Sequence, residues 1–425
     1  MKKMFLITFA IMFSINLFAQ EDKYPSKEED EYYKNYESVY SIKPLPLDKE
    51  FILGFKSEYY EIHEAESNYE IYSPDKYLTP YQDSIGKIQD SIHSKISSIF
   101  SAYQDSKELP DSVNKIINGL YESLFSHWQD CIGKVVKYTI LKHEKKDNIE
   151  AIIYESSEYE NFYFGESGIC IGYSENNGKD WNYYYTGIVQ KQPVFLKHYS
   201  QRPLIKEKGK LEIEACLLRQ LSYFSHPGPG PEYECVKDGI YLVFDMDVIA
   251  KDSDGDGLTD IVEDKLYLDK YNKDTNGDGI PDNLDTNPRV NYPRTEKSKI
   301  HEALLDMNDE IKWNKRGKCR LTFNKDAVYV TDSTETILVV TDNEDLMGIQ
   351  PQKYRVIFMT PDEYKKNAKI YDTELNKMII DPLFKIDNKK NTYEMSYDFN
   401  TWSKTYLIKK TKKGVIVTIL SFMIS

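Results

Sequence analysis

Two stretches of twelve residues, DSDGDGLTDIVE at 252–263 and DTNGDGIPDNLD at 274–285, constrain this chain more than any other feature. In the first, Asp252, Asp254 and Asp256 alternate, Gly257 stands sixth, Asp260 ninth and Glu263 twelfth. In the second, Asp274, Asn276, Asp278, Gly279, Asp282 and Asp285 hold the same places. Residues 252–285 carry 11 acidic residues against three lysines, a net of −8. Carboxylates packed that closely repel when ionised. A folded segment can keep them with a cation among them. The other reading is an acidic disordered linker, which needs neither the spacing nor the glycines.

The spacing fits D-x-[DN]-x-[DN]-G-x5-E, an EF-hand-like loop for calcium. Calcium is a hard cation that takes six to eight oxygens at roughly 2.3–2.6 Å. Alternate residues of a tight loop converge on one point, and glycine at the sixth place allows the sharp turn. The expected ligands are Asp252, Asp254, Asp256, the Leu258 carbonyl, Asp260 and Glu263 in the first loop. In the second they are Asp274, Asn276, Asp278, the Ile280 carbonyl, Asp282 and Asp285. Asp285 has a shorter arm than Glu263, so the first loop is expected to bind more tightly. A site of carboxylates should favour calcium over magnesium, which demands a tighter octahedron and keeps its waters. A helix-loop-helix EF-hand is not expected. The entering segment IYLVFDMDVIAK alternates like a strand, and Pro281 at the eighth place suits an exiting helix poorly.

The run D-x-D-x-D-G-L-x-D, then D-x-N-x-D-G-I-P-D and Asn287-Pro288, resembles the thrombospondin type 3-like calcium repeats of exported bacterial proteins. The resemblance covers residues 252–289 alone. It implies calcium ligation by Asp252, Asp254, Asp256, Asp260, Asp274, Asn276, Asp278 and Asp282, with Glu263 and Asp285 matching less firmly. It also implies a calcium-stabilised connector without catalysis. The cysteines that brace the vertebrate form are missing here.

The flanks read as two α+β regions, residues 51–249 and 290–425, joined by this linker. Ile85, Ile88, Ile92, Ile96, Ile99 and Phe100 recur at helical spacing, and Pro110-Asp111 opens a second helix with Asp111 as a cap. Its stripe runs from Val113 through Ile116, Ile117 and Leu120 to Trp128, a core-packing pattern. VVKYTIL, IEAIIYE and GIYLVFDMDV then read as strands. After 290, a helix near Lys297–Ile311 precedes CRLTF, AVYVTD, TILVVTD, RVIFMT and a final pair, TYLIKK and VIVTIL, joined by a hairpin at Thr411–Gly414. SENNGKDW (174–181) is similar to the Asp-box of sialidase-like propellers, with Asn176 for the Asp. A propeller needs several repeated blades, and one copy reads as a turn between strands.

Residues 1–20 have the layout of a secretory signal peptide: Lys2-Lys3, an apolar run from Phe5 to Phe18, then Ala19-Gln20. The run is short for a spanning helix. Residues 21–50 read as a mobile leader. The mature chain is expected outside the cytoplasm, in the periplasm, at the cell surface or beyond, with no transmembrane segment. Five cysteines without a C-x-x-C pair allow at most two disulfides.

The formal charge of −14 and a pI near 5.2 argue against nucleic acid, which needs a basic footprint. No H-E-x-x-H, G-x-S-x-G, P-loop or Rossmann glycine run occurs. The expectation is an exported calcium-binding protein with a structural or interaction role, and envelope proteins or glycans as candidate partners. The alternative is a secreted hydrolase or glycan-binding enzyme with its active site in 133–249.

Overall fold

The computed structural model describes residues 48–64, 80–102, 110–128, 131–136, 139–156, 168–189, 193–197, 202–221, 233–306, 318–321, 323, 329–330, 334–367, 376–380, 382–386, 389–399 and 402–424. The signal-peptide reading, and the leader up to residue 47, lie outside them. The leader's last residues do not continue a leader. Asp48 caps a short helix, α1 (Lys49–Leu53), by accepting the Glu50 amide at 2.9 Å, and Ile52 of that helix is fully buried.

Next along the chain come β1 (Glu61–Glu64), α2 (Pro80–Ala102) and α3 (Asp111–Trp128). The two helices pack on one another through Ile88, Ile92, Ile96 and Leu120. Asp111 is the first helical residue rather than the cap, because the Val113 and Asn114 amides both close onto the Pro110 carbonyl. Ile116 and Phe100 stay about half exposed, at 56% and 47%, so the apolar stripes are only partly covered.

Strands follow: β2 (Cys131–Ile132), β3 (Val135–Val136), β4 (Ile140–Lys146), β5 (Ile149–Glu155), β6 (Gly168–Ser174), β7 (Asn182–Val189), β8 (Val194–Leu196), β9 (Ile205–Glu207), β10 (Lys210–Gln220) and β11 (Tyr233–Asp245). Strands β4 to β7 form an antiparallel meander. A five-stranded antiparallel sheet has the order β1-β11-β10-β8, with β9 on β10. SENNGKDW is the turn between β6 and β7. Ser174 Oγ accepts the Gly178 amide at 3.0 Å, and the Trp181 indole donates to the Gly178 carbonyl at 3.0 Å.

Strand β11 ends at Asp245, three residues short of Val248, where the alternating pattern ends. The Asp245 carboxylate accepts the Asp247 amide at 3.0 Å and starts a helical turn, α4 (Met246–Ile249). The first acidic loop leaves through α5 (Asp260–Leu266). A miniature helix-loop-helix therefore replaces the expected strand entry. The second loop leaves through a turn, as Pro281 implies.

The remaining elements are α6 (Glu296–Leu305), β12 (Lys318–Arg320), β13 (Glu335–Val340), α7 (Glu344–Met347), β14 (Tyr354–Met359), α8 (Pro361–Asn367), β15 (Asn376–Ile380), β16 (Phe384–Lys385), β17 (Thr392–Phe399), β18 (Trp402–Thr411) and β19 (Gly414–Ile424). They build an eight-stranded mixed sheet of order β12-β19-β18-β17-β15-β13-β14, with β16 on β17. Strands β14 and β15 run parallel to β13, and β18 and β19 form the expected hairpin. AVYVTD lies outside the described residues except Tyr329 and Val330, which are in no strand.

The chain is thus α+β, but the acidic segment does not hang between separate cores. Leu258, Ile261, Val262, Leu266 and Leu268 are buried in the cluster that also holds Ile152, Ile213 and Phe244. Leu338 and Val340 of β13, with Ile357 and Met359 of β14, join that same cluster. Their sequence neighbours Ile337, Val339, Val356 and Phe358 point to a second cluster with Ile300 and Leu304. Alternation along a strand sends neighbours to opposite faces. A parallel pair buried on both faces needs apolar residues at every position, as ILVV and VIFM supply. Each fully buried Leu, Ile or Val is worth roughly 1.5–3 kcal/mol, so the segment is an integral layer of the fold.

Candidate metal centre

Each acidic loop is organised by its own carboxylates. Asp252 accepts the amides of Gly255 and Gly257 at 2.7 and 3.0 Å. Asp254 Oδ1 accepts the Asp256 amide at 3.0 Å, and Asp256 Oδ1 accepts the Leu258 amide at 2.7 Å. The second loop repeats the pattern. Asp274 takes the Gly277 and Gly279 amides at 2.9 and 2.8 Å, Asn276 the Asp278 amide at 2.8 Å, and Asp278 the Ile280 amide at 2.9 Å. Gly257 and Gly279 have φ of 106° and 97°, which only glycine adopts without strain. At Gly257 a side chain would also meet Asn283, whose Nδ2 lies 3.2 Å from an ideal Cβ.

The first loop gathers Asp252, Asp254 and Asp256 so that one carboxylate oxygen of each lies within 4.8 Å of the others; among the described residues the acids of the second loop form no such group. Behind them stands Glu263, on the first turn of α5. Its side chain is fully buried, and neither carboxylate oxygen has a hydrogen-bond partner. Asp254 Oδ2 is likewise buried without a partner. Burial first, then the negative charges of Asp254, Asp256, Asp260 and Asp252, push the Glu263 carboxyl up to about 8. Burial and the neighbouring Asp256 and Asp252 also raise Asp254. A buried acid without hydrogen bonds is costly. The three converging aspartates are an oxygen-only donor set of the kind a hard cation takes, and Glu263 is coupled to them through charge.

Asp260 is engaged elsewhere. Its oxygens accept the Ser253 amide at 2.7 Å, the Ser253 hydroxyl at 2.8 Å and the Lys251 ammonium at 3.1 Å. These bonds, with Lys251, hold its pKa below the usual range although burial opposes them. Asp282 does the same in the second loop, accepting the Thr275 amide at 3.0 Å and hydroxyl at 2.6 Å. The ninth-place acids therefore brace the loops from behind. The signal in the sequence was the hydroxyl residue at the second place of both loops, Ser253 and Thr275.

The twelfth place of the second loop also differs. Asp285 is 1% exposed, but Asn276 Nδ2 donates to it at 3.0 Å and the Asn287 amide at 2.8 Å. Burial still pushes Asp285 up to about 6, and Asp282 to about 6. The apolar seventh residues contribute unequally: Leu258 is 2% exposed and belongs to the core, whereas Ile280 is half-buried.

Cross-contacts tie the loops together. The Asn283 amide donates to Asp256 Oδ2 at 2.9 Å, and Lys273 Nζ to the Gly255 carbonyl at 3.0 Å. Arg355 of β14, 1% exposed, donates to the carbonyls of Asp285 and Asn283 at 3.3 and 2.8 Å. The Val356 amide meets the Thr286 carbonyl at 2.8 Å, and Asn287 Nδ2 reaches the Met347 and Ile349 carbonyls at 2.8 and 3.0 Å. Residues 283–287 thus line the outer edge of β14. None of these partners lies near enough in sequence to be read from the loop pattern.

No family model, curated protein or solved structure matches this chain. Among the described residues no helix is long and apolar enough to cross a membrane.

Proposed function

We propose that this is an exported calcium-binding protein, in which calcium in the first loop, and more weakly in the second, fastens the segment 252–289 between the sheets on either side. Its role is structural or interactive, with envelope proteins or glycans as candidate partners. The observation that carries the reading is Glu263: a fully buried carboxylate with both oxygens unpartnered, beside three aspartates whose oxygens converge. Asp252, Asp254, Asp256 and Glu263 are the side-chain ligands of the first site, and the Leu258 carbonyl belongs to the same set by its place in the loop. Asp274, Asn276, Asp278, the Ile280 carbonyl and Asp285 make the second. Asp260 and Asp282 act as braces. The thrombospondin type 3-like spacing and the signal-like N-terminus support calcium and export respectively.

The hydrolase alternative draws no support from the described residues of 133–249. The two buried carboxylates there are each held by two basic side chains: Glu150 by His143 and Lys145, and Glu212 by Arg202 and Lys206.

Calorimetric titration of the full chain tests the reading. Calcium should bind at millimolar concentrations or below, as extracellular modules do at roughly 10⁻⁴–10⁻³ M. At a hundredfold excess over Kd it should stabilise the fold by about 2.7 kcal/mol, and magnesium should do less. Absence of calcium heat at millimolar concentration, with unchanged thermal unfolding in chelator, would refute it.

A further inference from the structure

Strands β10 and β11 bring two cysteines together on the face of the sheet away from the main core. Cys216 is fully buried beside Phe195 and Leu218, with Tyr233 packed on the group. Cys235 is exposed and pairs in register with Leu218. In an antiparallel pair directly opposed residues share a face, as do residues two apart on one strand. Cys216 and Cys235 are therefore diagonal neighbours on one face. The register slips between Ala215 and Leu218, where three steps of β10 face five of β11, from Ile240 to Cys235. Gly239 in this bulge has a φ of 68°. The two thiols are near enough to shift one another's proton affinity, Cys216 upward and Cys235 downward.

We infer that Cys216 and Cys235 are a disulfide-forming pair that closes the β10–β11 connection when the chain meets an oxidising disulfide. Access and chemistry divide the roles. Cys235 is open to solvent, and the neighbouring Cys216 thiol favours its thiolate. Lys197, 4% exposed, and its ion-pair partner Asp238 both lie beside the two sulfurs, and at Cys235 the Asp238 carboxylate opposes the thiolate more than Lys197 favours it. A thiolate is the attacking species in exchange. Cys235 Sγ attacks one sulfur of a small-molecule disulfide, whose S–S bond breaks and releases one thiolate. Cys216 gives up its proton to that thiolate and attacks Cys235 Sγ, expelling the second thiolate, which takes up from solvent the proton that Cys235 released. Two protein thiols and one disulfide thus become one protein disulfide and two small thiols. The pair owes nothing to the calcium loops, so its test is independent of the calcium reading.

The test treats the natively folded full chain with oxidised glutathione, quenches in acid, alkylates before reduction and maps peptides by mass spectrometry. The expected result is loss of two of the five alkylatable thiols, with the Cys216 and Cys235 peptides joined. The Cys235→Ser chain, altered at an exposed site and checked for folding by circular dichroism, should form no intramolecular bridge and keep Cys216 alkylatable only after unfolding. Five alkylated cysteines, a stable glutathione adduct on Cys235 with Cys216 still reduced, a bridge between other cysteines, or a Cys216–Cys235 bridge formed only in denaturant would each overturn the inference.

Discussion

The two acidic loops share one backbone pattern, and the difference that matters most lies at the twelfth place. Their amide-to-carboxylate bonds coincide position by position, from Asp252 and Asp274 through to Asp256 and Asp278. Yet Glu263 closes the first loop with no hydrogen bond at all, whereas Asp285 closes the second already held by Asn276 and Asn287. The longer Glu is buried behind the first loop's acids; the shorter Asp is drawn into the seam with β14. A repeated motif fixes the loop backbone. What packs behind its last residue decides whether that carboxylate is left unpartnered or locks the fold.

The largest test of this contrast is the pH dependence of stability in the calcium-free chain. Glu263 holds its proton to about pH 8 when folded, against 4.5 for the ordinary carboxyl. Between these values the native state binds more protons than the unfolded chain, so stability falls as pH rises. Asp282 and Asp285 act in the same direction, but only from 3.8 to about 6. Among the acids raised by burial, the window from pH 6 to 8 therefore belongs to the first loop. At about 1.4 kcal/mol per pKa unit, it should cost on the order of 3 kcal/mol. Urea unfolding in chelator should show this slope, and Glu263→Gln should abolish it while Asp285→Asn leaves it intact. Equal loss in both variants would erase the distinction between the loops.

The next effect is on calcium itself. Asp254→Ala removes a partly desolvated oxygen beside Glu263 and should weaken binding roughly thirtyfold, about 2 kcal/mol. Asp278→Ala should cost roughly fivefold, about 1 kcal/mol, because Asn276 and Asp285 already satisfy one another. Titration calorimetry on the two single variants gives the ranking. A larger loss from Asp278→Ala would leave calcium binding in place and reverse the order of the sites.

The convergence of the first loop's aspartates was legible because it is local. Asp252, Asp254 and Asp256 converge through turns of two to five residues, and the glycine at the sixth place announces the turn. The α+β class was legible from periodicity, as was the β18–β19 hairpin from the short polar break at Thr411–Gly414. The placement of the segment was not. Arg355 reaches the Asn283 carbonyl across 72 residues, and Leu258 enters the core beside strands more than a hundred residues away in sequence. A spacing rule has no term for such contacts, so an integral layer read as a linker. Asp260 shows the same limit on a smaller scale. The ninth place is a ligand place by pattern, but a basic residue before the loop and a hydroxyl at its second place turn the carboxylate inward.

The smallest predicted effect concerns the contact between the loops. Lys273 precedes the second loop, yet its ammonium sits on the Gly255 carbonyl of the first and lowers the proton affinity of Asp254. An exposed pair of this kind contributes little to stability, roughly 0.2–1 kcal/mol, but its charge bears on a cation entering beside Asp254. Lys273→Met should therefore loosen the loop slightly and still raise the calcium affinity of the first site about twofold, near 0.4 kcal/mol. The two consequences oppose one another, and salt separates them. The electrostatic gain should vanish at 1 M salt, where the screening length is about 3 Å, leaving only the loosening. Titrations of both chains at low and high ionic strength would show this crossing. A gain that persists in high salt would mean that Lys273 acts through loop geometry, and the two loops would then be one coupled site rather than a strong and a weak one.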